Sequence, residues 1–261
     1  MSCKGTYPFR IGCTSYVLPD EILPNVSFMA DKVDDIELVL FESGNWSNLP
    51  GKEAVSSMQL IADKENITYS VHFPLDCRAG APDRSEREKF REYVTGIIQL
   101  TGNLPVSGYL LHLEGLDDEN DPFEVHRWLR VVDDFCCRLA DELTVEPDLI
   151  CIENLGYAPE LHAQLIDKYR FSHCIDLGHL WMYGSPWKDY MQQVIENTRI
   201  IHLHGVENGN DHRSLKTHTQ QEQLQELVPI LNNFKGVVTL EVFSEADTFS
   251  SLETMDTLWH A

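Results

Sequence analysis

Short apolar runs rich in β-branched and aromatic residues alternate with amphipathic stretches from one end of the chain to the other. The runs fall at 9–17 (FRIGCTSYV), 34–42 (DDIELVLFE), 67–73 (ITYSVHF), 107–113 (SGYLLHL), 148–154 (DLICIEN), 171–177 (FSHCIDL), 199–206 (RIIHLHGV) and 237–243 (VVTLEVF). Several are apolar nearly throughout, as strands buried on both faces are, rather than strictly alternating. Between them, 53–65, 85–102, 122–143, 158–169, 187–196 and 221–234 carry helical periodicity. Pro82, Pro122, Pro159 and Pro186 stand at the helix entrances, where a missing N–H costs little. No linker, low-complexity segment or short repeat interrupts the series. Eight β-then-α units predict an α/β fold, a (β/α)8 TIM barrel forming a single domain over 1–261. A doubly wound open sheet is the alternative.

Composition narrows the picture. The chain has 261 residues, 43% of them hydrophobic, enough for one large core. No apolar run reaches the roughly 18 residues that span a bilayer, so no membrane partner is expected. The segment MSCKGTYPFRIG has no apolar core of a signal sequence, and the seven cysteines are odd in number and unpatterned. Both point to reduced thiols and a cytoplasmic protein. A net charge of −22 repels phosphate backbones, which argues against a nucleic-acid partner and for a small-molecule substrate. The oligomeric state stays open.

Candidate chemistry lies where the strands end. In a TIM barrel the C-terminal ends of the strands share one rim. The second run ends in Glu42, the third in His72, the fourth in His112 and the fifth in Glu153 followed by Asn154. The sixth ends in Asp176 with Gly178-His179 beyond it, the seventh in His202 and His204, and the eighth in Glu241. Any one of these could be a hydrogen-bonded core residue or a helix cap. All of them on one rim is a different matter, because only 20 basic residues face 42 acids and buried carboxylates need partners. Divalent transition metals would supply them, and imidazole with carboxylate suits zinc first, manganese or iron otherwise.

These residues resemble those of the xylose isomerase-like barrel superfamily, which includes sugar isomerases and epimerases and the endonuclease IV-type enzymes. The resemblance covers essentially the whole chain. It implies that Glu153, Asp176, His202 and Glu241 form the four-ligand metal site common to the superfamily. His72 in SVHFPL and His112 in LLHLEG are similar to the extra histidines of the endonuclease IV branch, whose first metal is shared through the strand-five glutamate. IDLGH (175–179) is similar to that branch's Asp-x-x-His, and NDHRSL (210–215) resembles its Asp-x-His-x-Ser-Leu loop. His179 and His212 would then hold a third metal. Its carboxylate falls on Asn210 in register, so either Asp211 supplies it after a shift in the loop or the site is empty. Two to three metals per chain follow.

Several cations on one rim suit phosphate ester cleavage: they neutralise phosphoryl oxygens, make hydroxide from water and hold the leaving alkoxide. Arg213 and Lys216 are candidate phosphate clamps, or else solvent-facing loop charges. The stretches PFRIGCTSYVLPDEILPNV (8–26) and VDDIELVLFES (33–43) resemble the start of the cobamide-remodelling phosphodiesterases, a branch of this superfamily. That resemblance implies hydrolysis of the phosphoribosyl bond in the nucleotide loop of vitamin B12-type cofactors, with Glu153 and Glu241 at the catalytic centre. Among the aromatic residues of the rim loops, Tyr157 and Trp181 would pack against the flat corrinoid or its base, with Trp46, Tyr183 and Trp187 nearby; each could equally anchor its own loop. The alternatives are a sugar isomerase or epimerase, using Glu153 and Glu241 as acid and base around one divalent metal, and a non-catalytic corrinoid or metal carrier.

Overall fold

The computed structural model describes residues 2–43 and 46–260. Eight parallel strands close into a barrel: β1 (Arg10–Thr14), β2 (Asp35–Val39), β3 (Thr68–His72), β4 (Val106–Leu111), β5 (Ile150–Glu153), β6 (Ser172–Asp176), β7 (Thr198–Leu203) and β8 (Val237–Leu240). Each strand pairs with its sequence neighbours, and β1 pairs with β8 to close the ring. Closure excludes the doubly wound open sheet.

The helices are α1 (Ile22–Met29), α2 (Lys52–Glu65), α3 (Arg84–Thr101), α4 (Pro122–Glu142), α5 (Glu160–Tyr169), α6 (Leu177–Met182), α7 (Trp187–Val194), α8 (Gln221–Leu231) and α9 (Glu245–Trp259). Their starts follow local chemistry. The Asp83 carboxylate accepts the Ser85 N–H at 2.8 Å and begins α3, and Asp121 does the same for Phe123 at 2.9 Å ahead of α4. Pro122 occupies the first turn of α4, where it displaces no hydrogen bond. Among the described residues no helix is long and apolar enough to cross a membrane.

Strand alternation sorts the side chains. Ile36 and Leu38, Ile150 and Ile152, and Ile175 and Ile201 belong to the main core. The alternate residues turn into the barrel and stack in layers. Asp35 and Ser70 lie toward the N-terminal end. Leu110, Cys151, Cys174, Ile200 and Val237 make a small apolar cluster of their own above them. His72, Glu153, Asp176, His202 and Glu241, all buried, finish the stack at the C-terminal rim.

One strand end differs from the sequence reading. β2 stops at Val39, and Glu42 sits beyond it in a two-residue strand paired with Trp46–Ser47. The inward carboxylate at the rim end of β2 is Glu37, fully buried. In DIELVLF the acids Asp35 and Glu37 share one face and Ile36, Leu38 and Leu40 the other, but the apolar run continues past Val39, so the end of the strand is not marked.

Candidate metal centre

Geometry brings the strand-end residues into three linked groups. In the first, His72 Nε2 lies 3.2 Å from His112 Nε2, and the two nitrogens stand 3.5 and 3.1 Å from Glu153 Oε2. His72 Nδ1 is 2.8 Å from the Phe73 carbonyl oxygen, so it donates there and turns the Nε2 lone pair toward His112 and Glu153. In the second group, His202 Nδ1 lies 3.1 Å from Glu241 Oε2, 3.4 Å from Glu153 Oε2 and 3.9 Å from Asp176 Oδ2. One oxygen, Glu153 Oε2, therefore belongs to both groups.

The third group gathers beside them. His179 Nδ1 is 3.2 Å from Asp176 Oδ2, and the Asp176 carboxylate also accepts the His179 N–H at 2.7 Å, which starts α6. His179 Nε2 and His212 Nε2 stand 3.7 and 3.8 Å from Asp211 Oδ2. Asn210 turns away: its amide donates to the Glu207 and Asn208 carbonyls. Asp211, not the in-register Asn210, thus faces the imidazoles. The reason is a hairpin, Gly205–Glu207 paired with Asn210–Arg213. Asn208 and Gly209 both have positive φ, 52° and 77°, the requirement of a tight two-residue turn. His212 follows at φ 49° with a register shift in the ladder, and this left-handed residue lets adjacent Asp211 and His212 serve one point.

His204, absent from the ligand set drawn from sequence, joins here. Its Nδ1 accepts the His212 N–H at 2.9 Å, so its proton sits on Nε2, 3.2 Å from Asp176 Oδ1. It orients the aspartate and anchors the loop together. Gly178 is needed beneath it, since a Cβ there would fall 2.0 Å from the imidazole. Glu37 is the other residue the sequence reading missed: its Oε2 takes the His202 Nε2 proton at 2.8 Å. A carboxylate behind a ligating histidine fixes the tautomer and raises the basicity of the facing nitrogen. Asn154 ties the ends of β5 and β6 by two hydrogen bonds with the Asp176 backbone, at 3.0 and 2.8 Å.

The donor set fits divalent ions. Glu153 Oε2, His202 Nδ1, Glu241 Oε2 and His179 Nδ1 are buried and have no hydrogen-bond partner, although other polar atoms lie within contact distance. Their separations have hydrogen-bond length without its direction, as expected of lone pairs aimed at common points. His72/His112/Glu153 and Glu153/Asp176/His202/Glu241 each place their donor atoms within 4.8 Å of one another, as do His179/His204/His212. Burial would raise the Glu153 pKa, but His112 and His202 hold it well below the usual carboxylate range. Burial would lower that of His112, but Glu153 and then Glu114 push it up to about 10. Without cations, protons on imidazole balance the acids; a bound ion displaces them.

The substrate-facing residues divide. Arg213 and Lys216 are exposed, and among the described residues neither side chain forms a hydrogen bond or ion pair. Tyr157 and Trp181 are largely buried, and Tyr157 lines the cleft over His112 and His179. Tyr157 packs on Trp128 at 4.9 Å and donates to the Leu113 carbonyl; Trp181 packs on His218 at 4.6 Å. Exposed aromatics beside the metal donors are Tyr183, 6.4 Å from His179, and Phe243, 5.1 Å from His212; Trp46, also exposed, stands on the hairpin beyond β2. A cleft of about 640 Å³ opens over His112 and His179, walled by Tyr183, Arg78 and the acidic run Glu114, Asp117, Asp118 and Glu119.

Comparison with known proteins agrees with this architecture. Residues 32–258 match the family model described as xylose isomerase-like TIM barrel. Among solved structures, a D-tagatose 3-epimerase-like protein superposes with a TM-score of 0.78 at 16% identity, covering 97% of both chains. Endonuclease IV from Thermus thermophilus gives 0.73 at 13% identity, covering 96% of this chain and 99% of its own. A 3-keto-D-glucoside 4-epimerase from E. coli gives 0.73 at 12%, covering 97% and 100%. Identities this low establish the shared fold alone. No curated protein matches the chain.

Proposed function

The chain belongs to the xylose isomerase-like TIM barrel family, and from that premise we propose that it is a metal-dependent phosphodiesterase acting on the nucleotide-loop phosphoribosyl bond of cobamides. The observation that carries the reading is the double use of Glu153, whose Oε2 faces His72 and His112 on one side and His202 on the other. The isomerase or epimerase reading is drawn around one ion; a carboxylate shared between two donor sets, with a third set beside it, suits a phosphoryl centre. Ions held there, zinc foremost, would neutralise phosphoryl oxygens and acidify a water.

The residues of the chain itself supply the rest. Glu241, placed between His202 and His212 at 3.1 and 3.6 Å, stands at the reacting centre beside Glu153 and, despite its burial, is kept a carboxylate by those imidazoles. Arg213 and Lys216 are free to grip the phosphate from the loop. The acid wall Glu114–Glu119 and a net charge of −22 oppose a polyanionic strand and tolerate a single phosphodiester on a large neutral-to-cationic body. Tyr183 and Phe243, rather than Tyr157 and Trp181, have the open faces that a flat macrocycle or base would meet.

A second reading has its own support: Glu153 and Glu241 flank one imidazole nitrogen, the arrangement of an acid–base pair around a single ion, as in a sugar isomerase or epimerase. One experiment separates the two. Metal-replete protein is incubated with a cobamide, whose products are resolved by mass, and with ketose sugars, whose epimers have equal mass and are separated by chromatography. The proposal expects release of the lower-ligand nucleoside and a cobinamide phosphate. Ketose epimerisation with an untouched cobamide would replace it by the second reading.

A further inference from the structure

Beneath the rim, the barrel holds a thiol that none of the three ligand groups needs. Cys174 and Asp176 lie two apart on β6, so both turn inward, with Cys174 one layer lower. Strand pairing sets Cys174 directly beside Glu153. Cys174 Sγ, a Glu153 carboxylate oxygen and a His202 ring nitrogen all lie within 4.8 Å of one another. Glu153 Oε2 and His202 Nδ1 are the unpartnered atoms of their side chains, and both residues are at most 1% exposed. The other thiol of this layer, Cys151, points its Sγ at the Leu149 carbonyl, 3.6 Å away.

We propose that Cys174, Glu153 and His202 form a lower seat for a thiophilic divalent cation, distinct from the rim sites and in competition with them. The inference rests on the metal-centre reading of the rim but not on any substrate. Charge favours it. One thiolate, one carboxylate and a neutral imidazole cancel a divalent ion, whereas the rim set Glu153, Asp176, Glu241 and His202 leaves a net negative charge. A neutral complex is the cheaper one to seat against the apolar floor of Leu110, Ile200 and Val237. Sulfur with nitrogen and oxygen suits zinc or cadmium and not manganese. As the sulfur–metal bond forms, the thiol proton leaves to water. Because Glu153 and His202 are drawn down, an ion in the lower seat strips donors from the rim and inhibits.

Metal-free protein titrated with cadmium tests this directly, with the ultraviolet sulfur-to-cadmium charge-transfer band as the readout and bound cadmium measured by dialysis. Wild type should show a saturable band, kept in Cys151→Ser, lost in Cys174→Ser and not produced by manganese. Circular dichroism checks folding. If Cys174→Ser does not fold, the cadmium NMR resonance of the wild type decides, since sulfur ligation moves it downfield. Cadmium retained without a band, or an equal band in Cys174→Ser, overturns the lower seat while leaving the rim centre standing. No cadmium uptake at all overturns both.

Discussion

Asp35 and Glu153 are both buried carboxylates turned into the same barrel, and they differ in what their lone pairs meet. Asp35, in the N-terminal half, accepts the Ser70 N–H at 3.1 Å and the hydroxyls of Ser70, Thr68 and Ser107 at 2.7, 2.5 and 2.7 Å. Four donors satisfy it, and it has nothing left to bind. Glu153, at the other end, is surrounded by imidazole nitrogens at 3.1–3.5 Å, yet its Oε2 has no hydrogen bond. A buried polar group left open costs stability comparable to a lost hydrogen bond or more. One such atom could be a local defect; several converging from the ends of β5, β7 and β8 and from α6 are a binding site in waiting. Closed polar networks hold the barrel together, and open ones mark where it works.

Breaking the open layer gives the largest effect. Glu153→Ala removes the oxygen two donor sets share, so it should lose more than one metal equivalent by elemental analysis. Turnover should fall by at least ~10³, at or beyond the upper end of removing one preorganised electrostatic contact. Loss of a single equivalent with modest slowing would mean the two sets are independent. Breaking the closed layer should act on stability alone. Asp35→Ala leaves buried donors without an acceptor, which costs about 3 kcal/mol. For a chain of this size that lowers Tm by roughly 6–12 °C. Metal content should stay at the wild-type level; a loss of metal in Asp35→Ala would erase the distinction between the layers.

How much of this was legible in sequence follows from the same division. The eight strands were readable because barrel strands are short, apolar and bounded by helical periodicity. The rim was readable because His72, His112, Glu153, Asp176, His202 and Glu241 interrupt those runs at their ends. Glu37 was hidden by the same rule: the apolar residues run on from Val39 to Phe41, so the acid that interrupts the run at its end is Glu42 and not the rim carboxylate of the strand. α1, α6 and α9 were not read. The α6 stretch, LGHLWM, is a six-residue helix too short to show a period, and α9 is rich in serine and threonine with little amphipathic contrast. The shift from Asn210 to Asp211 depends on a left-handed φ at His212, a backbone conformation histidine seldom adopts and sequence does not announce. Tyr157 falls on a rim loop as read and lines the cleft while its ring packs on Trp128; Trp181 falls on the short helix α6 and closes over His218.

The smallest effect tests the boundary between the layers, and Glu37 stands on it. Like Asp35 it lies on β2 and is fully buried; unlike Asp35 it has one oxygen bonded, to His202 Nε2 at 2.8 Å, and the other, Oε1, unpartnered. It touches no substrate-facing cleft, so its part is to position. By accepting the Nε2 proton it keeps the Nδ1 lone pair of His202 toward Glu153 and Glu241, and its charge makes that nitrogen a stronger donor. Glu37→Gln preserves shape and removes the charge, while the amide oxygen can still accept the same proton. Metal affinity should therefore weaken by roughly 10–100-fold, the usual consequence of altering a partner behind a ligating histidine. Turnover at saturating metal should recover close to wild type, and thermal stability of the metal-free protein should change little. A competition titration against a chromophoric chelator, with kcat measured across metal concentration, gives both numbers. An unchanged affinity with a lowered Tm would place Glu37 with Asp35 in the closed layer, as a structural acid alone. Lost turnover that excess metal does not restore would move it the other way, into the reacting centre.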